Sequence, residues 1–264
     1  MCAPDHFGVD YVINPWMENN RGKTDRARAQ QQWNGLRQAL AAHADLALIQ
    51  PQAPLPDMVF TANAGMVLGD LAVVSRFRSP ERRGEEPFFR TWFERNGFTL
   101  APWPEDVYFE GAGDALLDRG KPLVWCGFGF RSDEAAATLI ENVFKRPVLS
   151  LRLIDPRFYH LDTCFCPLAG GTLMYFPPAL DPDSQKKIAG IVPPEKRIVV
   201  GEADALAFAC NAVDLDGHVF LNAASPALQQ NLRKAGFTAV IVPLSEFLKA
   251  GGTAKCLTLK LHEN

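Results

Sequence analysis

The sequence predicts an α/β protein built from five strand-strand-helix-strand units arranged around a pseudo-axis. Three observations predict it. Helix-like and strand-like segments alternate along the chain. Short motifs carrying polar residues return at an interval of about 50 residues, a period typical of repeat architectures. They are Phe60-Thr61-Ala62-Asn63, Phe109-Glu110-Gly111, His160-Leu161-Asp162, Phe208-Ala209-Cys210-Asn211 and Ala254-Lys255-Cys256. Finally, Asn96-Gly97-Phe98-Thr99 returns nearly letter for letter as Ala235-Gly236-Phe237-Thr238, each leaving a helix for a β-like segment. No low-complexity tract, like-charge block or Gly/Ser linker divides the 264 residues, so a single domain spanning 1–264 is expected.

In chain order, the first helix is expected from Asp25 to His43, where Ala29, Trp33, Leu36 and Leu40 share one face. Leu68–Val74 reads as a β-like run. The second helix, Pro87–Asn96, gathers Phe89, Trp92 and Phe93 and stops at Gly97, a natural residue just past a helix end. Ser132 is expected to cap the third helix, which carries Ala136, Leu139, Ile140 and Val143 on one side. Thr172–Phe176 is strand-like, with a weaker helix following around Asp183–Ile191. Val219–Leu221 is strand-like again. The fifth helix has Ser225 as its cap and Pro226 in first position, buries Leu228 and Leu232, and ends at Gly236. Five such units would bring their equivalent first strands to the centre, where the polar residues of those strands converge on one pocket.

Composition narrows the function. Lys and Arg number 27 against 30 Asp and Glu, a net charge of −3. That balance argues against a nucleic-acid surface, because phosphate contact needs clustered positive charge. No apolar run approaches the ~18–20 residues needed to span a bilayer. The opening residues lack a basic stretch followed by an apolar one, so no secretory signal is expected. Six cysteines are too sparse for a disulfide scaffold and read as reduced thiols of a cytoplasmic protein. Cys164 and Cys166 alternate onto one strand face, but without a second ligand pair this is poor zinc spacing. They are assigned to the core with Cys126 and Cys210, and neither a metal nor an organic cofactor is expected.

The five motifs gather a distinctive set of side chains: Asp57 and Asn63, Glu110 and Asp114, His160 and Asp162, Asn211, and Cys256. Cys256 follows Gly251-Gly252-Thr253-Ala254, a stretch that lets backbone approach a ligand closely. A single Cys with a distant His is a nucleophile and acid/base pattern. His160 and Asp162 are expected on one strand face, with the carboxylate favouring the imidazolium. His6, His43, His218 and His262 have no comparable partners. Several carboxylates in one pocket call for a cationic substrate. A guanidinium matches them with five donors, and its central carbon is open to thiolate attack. Its charge would also lower the thiol pKa. The residues alone therefore point to a thiol enzyme acting on a guanidino compound.

Longer runs give these residues a context: Val12-Ile13-Asn14-Pro15-Trp16-Met17, Asp57-Met58-Val59-Phe60-Thr61-Ala62-Asn63-Ala64-Gly65 and Phe109-Glu110-Gly111-Ala112-Gly113-Asp114-Ala115. Further on come Phe158-Tyr159-His160-Leu161-Asp162-Thr163-Cys164-Phe165-Cys166-Pro167 and Phe247-Leu248-Lys249-Ala250-Gly251-Gly252-Thr253-Ala254-Lys255-Cys256. Across nearly the whole chain these runs resemble the guanidine-modifying superfamily of arginine deiminases, dimethylarginine dimethylaminohydrolases and amidinotransferases. They are most similar to the arginine dihydrolases that form the N-terminal domain of certain cyanobacterial-type ornithine-producing proteins. The resemblance implies the five-bladed α/β propeller of that superfamily, the pentein fold.

It further implies Cys256 as nucleophile and His160 as general acid/base, with Glu110 and Asp162 holding the guanidinium. Arg82 and Arg131 would grip a substrate carboxylate, and Asn14, Phe60 and Asp114 join the substrate-binding set, the roles of Asn14 and Asp114 staying open. Two departures stand out. Deiminases read Glu-Gly-Gly-Asp where this chain has Glu110-Gly111-Ala112-Gly113-Asp114, and they place Asp where it has Asn63. Asn63 is therefore counted among the catalytic residues, its neutral amide holding a urea-level intermediate.

The expected reaction is hydrolysis of L-arginine to L-ornithine, two ammonia and CO2 through a Cys256 thiouronium adduct. Arginine deiminase, stopping at citrulline, and another guanidino or dimethylarginine hydrolase are the alternatives. A binding protein of the same fold is the alternative from outside enzymes. The expected partner is the small-molecule substrate, with no nucleic acid or membrane, and a homo-oligomer stays open.

Overall fold

A computed structural model of the chain describes residues 1–262. Its strands form four three-stranded sheets of one pattern. The first sheet holds β1 (Gly65–Leu68), β2 (Leu71–Val74) and β3 (Thr99–Leu100); the second holds β4 (Ala115–Leu117), β5 (Val124–Phe128) and β6 (Val148–Arg152). The third holds β7 (Phe165–Leu168), β8 (Thr172–Tyr175) and β9 (Arg197–Val199); the fourth holds β10 (Val213–Leu215), β11 (His218–Leu221) and β12 (Thr238–Ile241). In each, the first two strands pair antiparallel and the third lies parallel to the second. A parallel neighbour needs a crossover, and a helix supplies it every time: Glu86–Arg95, Ala135–Phe144, Pro182–Ile191 and Pro226–Lys234. The strand-strand-helix-strand unit is thus present four times in a mixed α/β fold.

Local chemistry explains the elements. β10 and β11 are joined by Asp216-Gly217 alone, both at positive φ (50° and 74°), the two-residue turn that matches strand twist. Ser225 accepts from the Leu228 N–H and starts its helix, and Asp25 does the same for Arg28 and the helix Arg26–Ala41. That first helix buries Ala29, Trp33, Leu36 and Leu40, the face its spacing predicts. Two expectations need correction. Leu68–Val74 is a hairpin rather than one strand, turning at Gly69-Asp70. Ser132 does not cap the third helix, which starts only at Ala135; its hydroxyl is buried and bonded elsewhere.

The central motifs also differ from expectation. They are single 3-10 turns just ahead of the first strands, at Thr61–Ala64, Gly111–Gly113 and Leu161–Thr163, with turns at 207–210 and 254–257 completing the set. Hydrogen bonds join the five motif segments head to tail in a closed ring. Asn63 Nδ2 donates to the Glu110 carbonyl (3.0 Å), the Leu161 N–H to Asp114 (3.0 Å), and Asn211 Nδ2 to the Asp162 carbonyl (3.1 Å). The Lys255 N–H then donates to the Asn211 carbonyl (3.2 Å) and the Ala62 N–H to the Cys256 carbonyl (3.0 Å). Apolar clusters pack outside this ring, so polar side chains on the turns have only the axis to face. Among the described residues no helix is long and apolar enough to cross a membrane. Cys126, Cys164, Cys166 and Cys210 are buried free thiols, the first three with their pKa pushed up by burial, as core cysteines should be.

Candidate active site

Of the ring's polar side chains, Asn63 and Cys256 reach one small cavity. Asn14, Asp57, Phe60, Asn63, Arg82, Arg131, Tyr159 and Cys256 line it. Cys256 is buried, and Asn211 orients it: the Asn211 amide oxygen accepts from the backbone N–H groups of Thr253 and Cys256, while its Nδ2 donates to the sulfur at 3.1 Å. The thiol in turn lies 3.4 Å from Asp162 Oδ2. Burial raises the Cys256 thiol well above its ordinary value, and the neighbouring Asp162 charge raises it further. Cys256 is thus held as a thiol next to a proton acceptor.

His160 and Asp162 do not share a face, contrary to the sequence reading. His160 precedes a 3-10 turn and Asp162 lies within it, and its tight winding sends residues two apart in different directions. The carboxylate on His160 is Glu110, at 2.8 Å from Nε2, while Asp162 belongs to Cys256. Glu110 also accepts from Arg131 Nη1 (3.0 Å) and from the Arg78 N–H (3.2 Å). Burial alone would push Glu110 up, but Arg131 and His160 outweigh it and hold the carboxyl well below the usual range. Asp114 Oδ2 lies 4.0 Å from the same imidazole nitrogen and takes the Ser132 hydroxyl at 2.6 Å. Gly113 is required at this point, because a Cβ there would come within 2.4 Å of Asn63 Nδ2.

Arg82 and Arg131 are not solvated surface residues; both are buried. Arg82 forms a fork with Glu85 (2.9 and 2.8 Å) and donates to Asn63 Oδ1 (2.9 Å). Arg131 lies over the Tyr159 ring at 4.7 Å and reaches the Ile13 carbonyl at 2.8 Å. Asn14 ties its loop to the Ala250 carbonyl at 3.0 Å and accepts from the Trp16 N–H, so its amide shapes the loop over the cavity. Three contributors have no role assigned from the sequence. Asn211 was visible only as the fourth motif's polar position, and Glu85 only through its three-residue spacing from Arg82. Asp57 accepts from the Tyr11 hydroxyl at 2.8 Å, but its Oδ1 is buried against the cavity with no partner, an acceptor open to a ligand's donor. Among the described residues no group of His, Cys, Asp and Glu is arranged to hold a metal ion.

Burial raises Asp162 to about 7 despite the opposing Lys255 charge, and Asp114 to about 6 despite His160. Both therefore bind protons more tightly in the fold than in the unfolded chain, where carboxyls titrate near ~4. Where the folded state holds the extra protons, stability falls as pH rises, here between about 4 and 7. Calorimetric melting of the ligand-free protein is expected to show a lower Tm at pH 7.5 than at pH 5.5. The drop is expected to shrink in Asp162→Asn; an equal drop in both proteins would contradict it.

Comparison with known proteins fits this geometry. The profile of the family "N,N dimethylarginine dimethylhydrolase, eukaryotic" matches residues 3–263. The bifunctional arginine dihydrolase/ornithine cyclodeaminase AgrE of Nostoc sp. is 57% identical over 100% of this chain, which corresponds to 37% of that protein. The chain thus spans little more than a third of this curated relative. Among solved structures, a cysteine-to-serine mutant of the N-terminal domain of ArgZ, described as an arginine dihydrolase of cyanobacteria and bound to substrate, superposes with a TM-score of 0.99. It is 54% identical, and the match covers 100% of this chain and 97% of that one. An asparagine-to-serine mutant of the same domain, covalently bonded to a reaction intermediate, also gives 0.99 at 54% identity with the same coverage.

Proposed function

This chain belongs to the N,N dimethylarginine dimethylhydrolase family, and from that premise we propose that it is an arginine dihydrolase: L-arginine + 2 H2O → L-ornithine + 2 NH3 + CO2. The observation that carries the reading is the buried Cys256 thiol, which lines the cavity and is bonded to Asp162 and Asn211, with the buried Glu110–His160 pair on the same ring of turns. Three buried carboxyls, Glu110, Asp114 and Asp162, crowd that centre and favour a cation, while the buried guanidinium groups of Arg82 and Arg131 on the cavity lining favour a carboxylate. Free arginine carries both. The full-length likeness to arginine dihydrolases supports the same substrate.

Binding exchanges partners. The substrate carboxylate draws Arg131 from Glu110, and the substrate guanidinium replaces it there, so the buried charges stay balanced. Asp57 Oδ1 accepts from the α-ammonium. With a guanidinium beside it, the Cys256 thiol passes its proton to Asp162 and the sulfur attacks the guanidino carbon. His160 protonates the first departing ammonia, then takes a proton from water as that water adds to the thiouronium. The second ammonia leaves while the carbon is still on sulfur. A second water releases the carbamic acid of ornithine, which loses CO2. We also read residues 1–264 as one catalytic domain with a fifth unit closing a five-bladed propeller. The turn at 254–257 in the ring, and the parallel bridge between Cys2 and Ile49, support that reading.

The test is product analysis after complete turnover of guanidino-labelled arginine, with ornithine, labelled CO2 and two ammonia per arginine expected. Citrulline with one ammonia would make the protein a deiminase, and turnover of dimethylarginine alone a dimethylarginine hydrolase. Asn63 decides between the first two. One Nδ2 hydrogen is spent on the Glu110 carbonyl, leaving the other to donate to a urea-level oxygen in the cavity. A carboxylate cannot donate. Asn63→Asp is therefore expected to lower ammonia per arginine toward one and to accumulate citrulline; an ornithine-only Asn63→Asp enzyme would remove Asn63 from this role.

A further inference from the structure

Arg82 lies in the short helix Pro80–Arg83 with Glu85 just past it, and both side chains are buried. The Glu85 carboxylate accepts from Arg82 Nε at 2.9 Å and from Nη2 at 2.8 Å, while the guanidinium lies over the Phe77 ring at 4.5 Å. Nη2 also donates to the Asp57 carbonyl at 3.1 Å, and Nη1 to Asn63 Oδ1 at 2.9 Å. Four of the five donors of this guanidinium are thus spent inside the protein. Arg82 and Asn63 line the substrate cavity; Glu85 does not.

The two ends of a side-chain amide have nearly the same shape, so hydrogen bonds decide which end carries the oxygen. Asn63 is held at both ends, Oδ1 by Arg82 and Nδ2 by the Glu110 carbonyl at 3.0 Å. A flip would set N–H against N–H at Arg82 and oxygen against oxygen at Glu110. We propose that Glu85 is a positioning residue for loss of the second ammonia: by locking Arg82, it fixes the Asn63 amide with its remaining N–H toward the cavity. The inference rests on the role given to Asn63 above and adds a group that never touches substrate. At the step concerned, water has added to the thiouronium, and the carbon carries sulfur, a hydroxyl and two nitrogens. If C–S breaks, the electron pair goes to sulfur and citrulline leaves. If C–N breaks, the pair goes to nitrogen, which takes the hydroxyl proton and leaves as ammonia; the oxygen becomes a carbonyl still attached to Cys256. The Asn63 N–H donates to that oxygen. A flipped amide presents its own oxygen instead and acts there as a carboxylate does.

Glu85→Gln keeps the shape of the fork but turns one of its two acceptors into a donor, which releases Arg82 from Asn63. With one of two hydrogen bonds lost, the hold on the amide weakens about tenfold. The ratio of citrulline to ornithine after complete turnover of arginine is therefore expected to rise about tenfold over wild type. Glu85→Asp keeps a carboxylate beside Arg82, so the buried charge stays balanced, but it is one methylene shorter and draws the guanidinium off Asn63. Its ratio should move the same way. Adding Glu85→Gln to Asn63→Asp should leave the Asn63→Asp ratio where it is, because the amide it acts through is gone. A loss caused by packing alone would lower the rate and not the ratio. Without substrate, the Asn63 side-chain amide protons, assigned in NMR spectra by their absence from Asn63→Asp, should exchange with solvent about tenfold faster in Glu85→Gln. Wild-type ratios in both folded Glu85 variants would overturn the proposal, as would unchanged amide exchange or a further change of ratio in the double variant. Because exchange is read without turnover, a wild-type protein that stops at citrulline would sink the proposed activity while exchange still decides the role of Glu85.

Discussion

Cys256→Ser is expected to abolish turnover, lowering kcat by on the order of 10³-fold or more, while arginine still binds. The hydroxyl fits the space and can keep the Asp162 and Asn211 contacts that the sulfur makes at 3.4 and 3.1 Å. What it lacks is an accessible anion. Burial and the nearby Asp162 already disfavour the thiolate, so the incoming guanidinium must supply the compensating charge. That compensation is sufficient for a thiol and far too small for an alcohol. Isothermal titration of the mutant with arginine should give a saturable heat. Acid-quenched wild-type enzyme should carry a covalent adduct on the Cys256 peptide that the mutant lacks. A serine variant retaining more than a few per cent of the rate would show that the nucleophile is elsewhere.

Glu110→Gln is expected to cost both activity and the fold's stability. Glu110 is fully buried and bridges Arg131 at 3.0 Å and His160 at 2.8 Å. An amide of the same shape leaves the Arg131 cation unbalanced in the interior, a loss typically of about 3–5 kcal/mol. For a chain of this size that corresponds to a Tm lower by on the order of 10 °C. The pH dependence identifies the cause. Because the folded-state pKa of Glu110 is depressed, its contribution is complete above the unfolded value near ~4.3 and is lost only as pH falls through the folded one. The gap in Tm between wild type and Glu110→Gln should therefore be constant from pH 5.5 to pH 8 and narrow only in strong acid. A gap that closes toward neutral pH would mean that Glu110 is not the anion of the site.

Elements whose signals are local could be read from the sequence. Ser225 with Pro226, and Gly97 after Asn96, mark helix ends through contacts within a few residues, and the structure keeps them. The recurrence of polar positions also marked the segments that meet in one hydrogen-bonded ring, because a repeat carries equivalent residues to equivalent places. Pairing within the site was another matter. Asp162 is two residues from His160, yet the partner is Glu110, 50 positions away, because the ring sets contacts between segments and the 3-10 turn breaks strand alternation. Ser132 had the chemistry of a helix cap, but Asp114 and the Glu110 N–H compete for the same hydroxyl. Gly69-Asp70 carried a turn signal inside an apolar run long enough to pass for one strand.

The closed ring has a consequence for how the protein comes into being. Its last link joins Ala62 to Cys256, with Thr61 donating to the Leu257 carbonyl across 196 positions and Asn14 to Ala250 across 236. Contacts of such sequence separation are the slowest to form, because the chain between them must be ordered first. On a ribosome, four sheets can assemble while the cysteine is still unmade, and the carboxyls that later face it wait half-enclosed. The partners of the Cys256 thiol therefore assemble around it only when the segment that carries it docks, in one step with ring closure. Refolding followed by Cys256 alkylation should accordingly lag behind the recovery of helical signal, since the surroundings of Cys256 depend on contacts of the longest sequence separation.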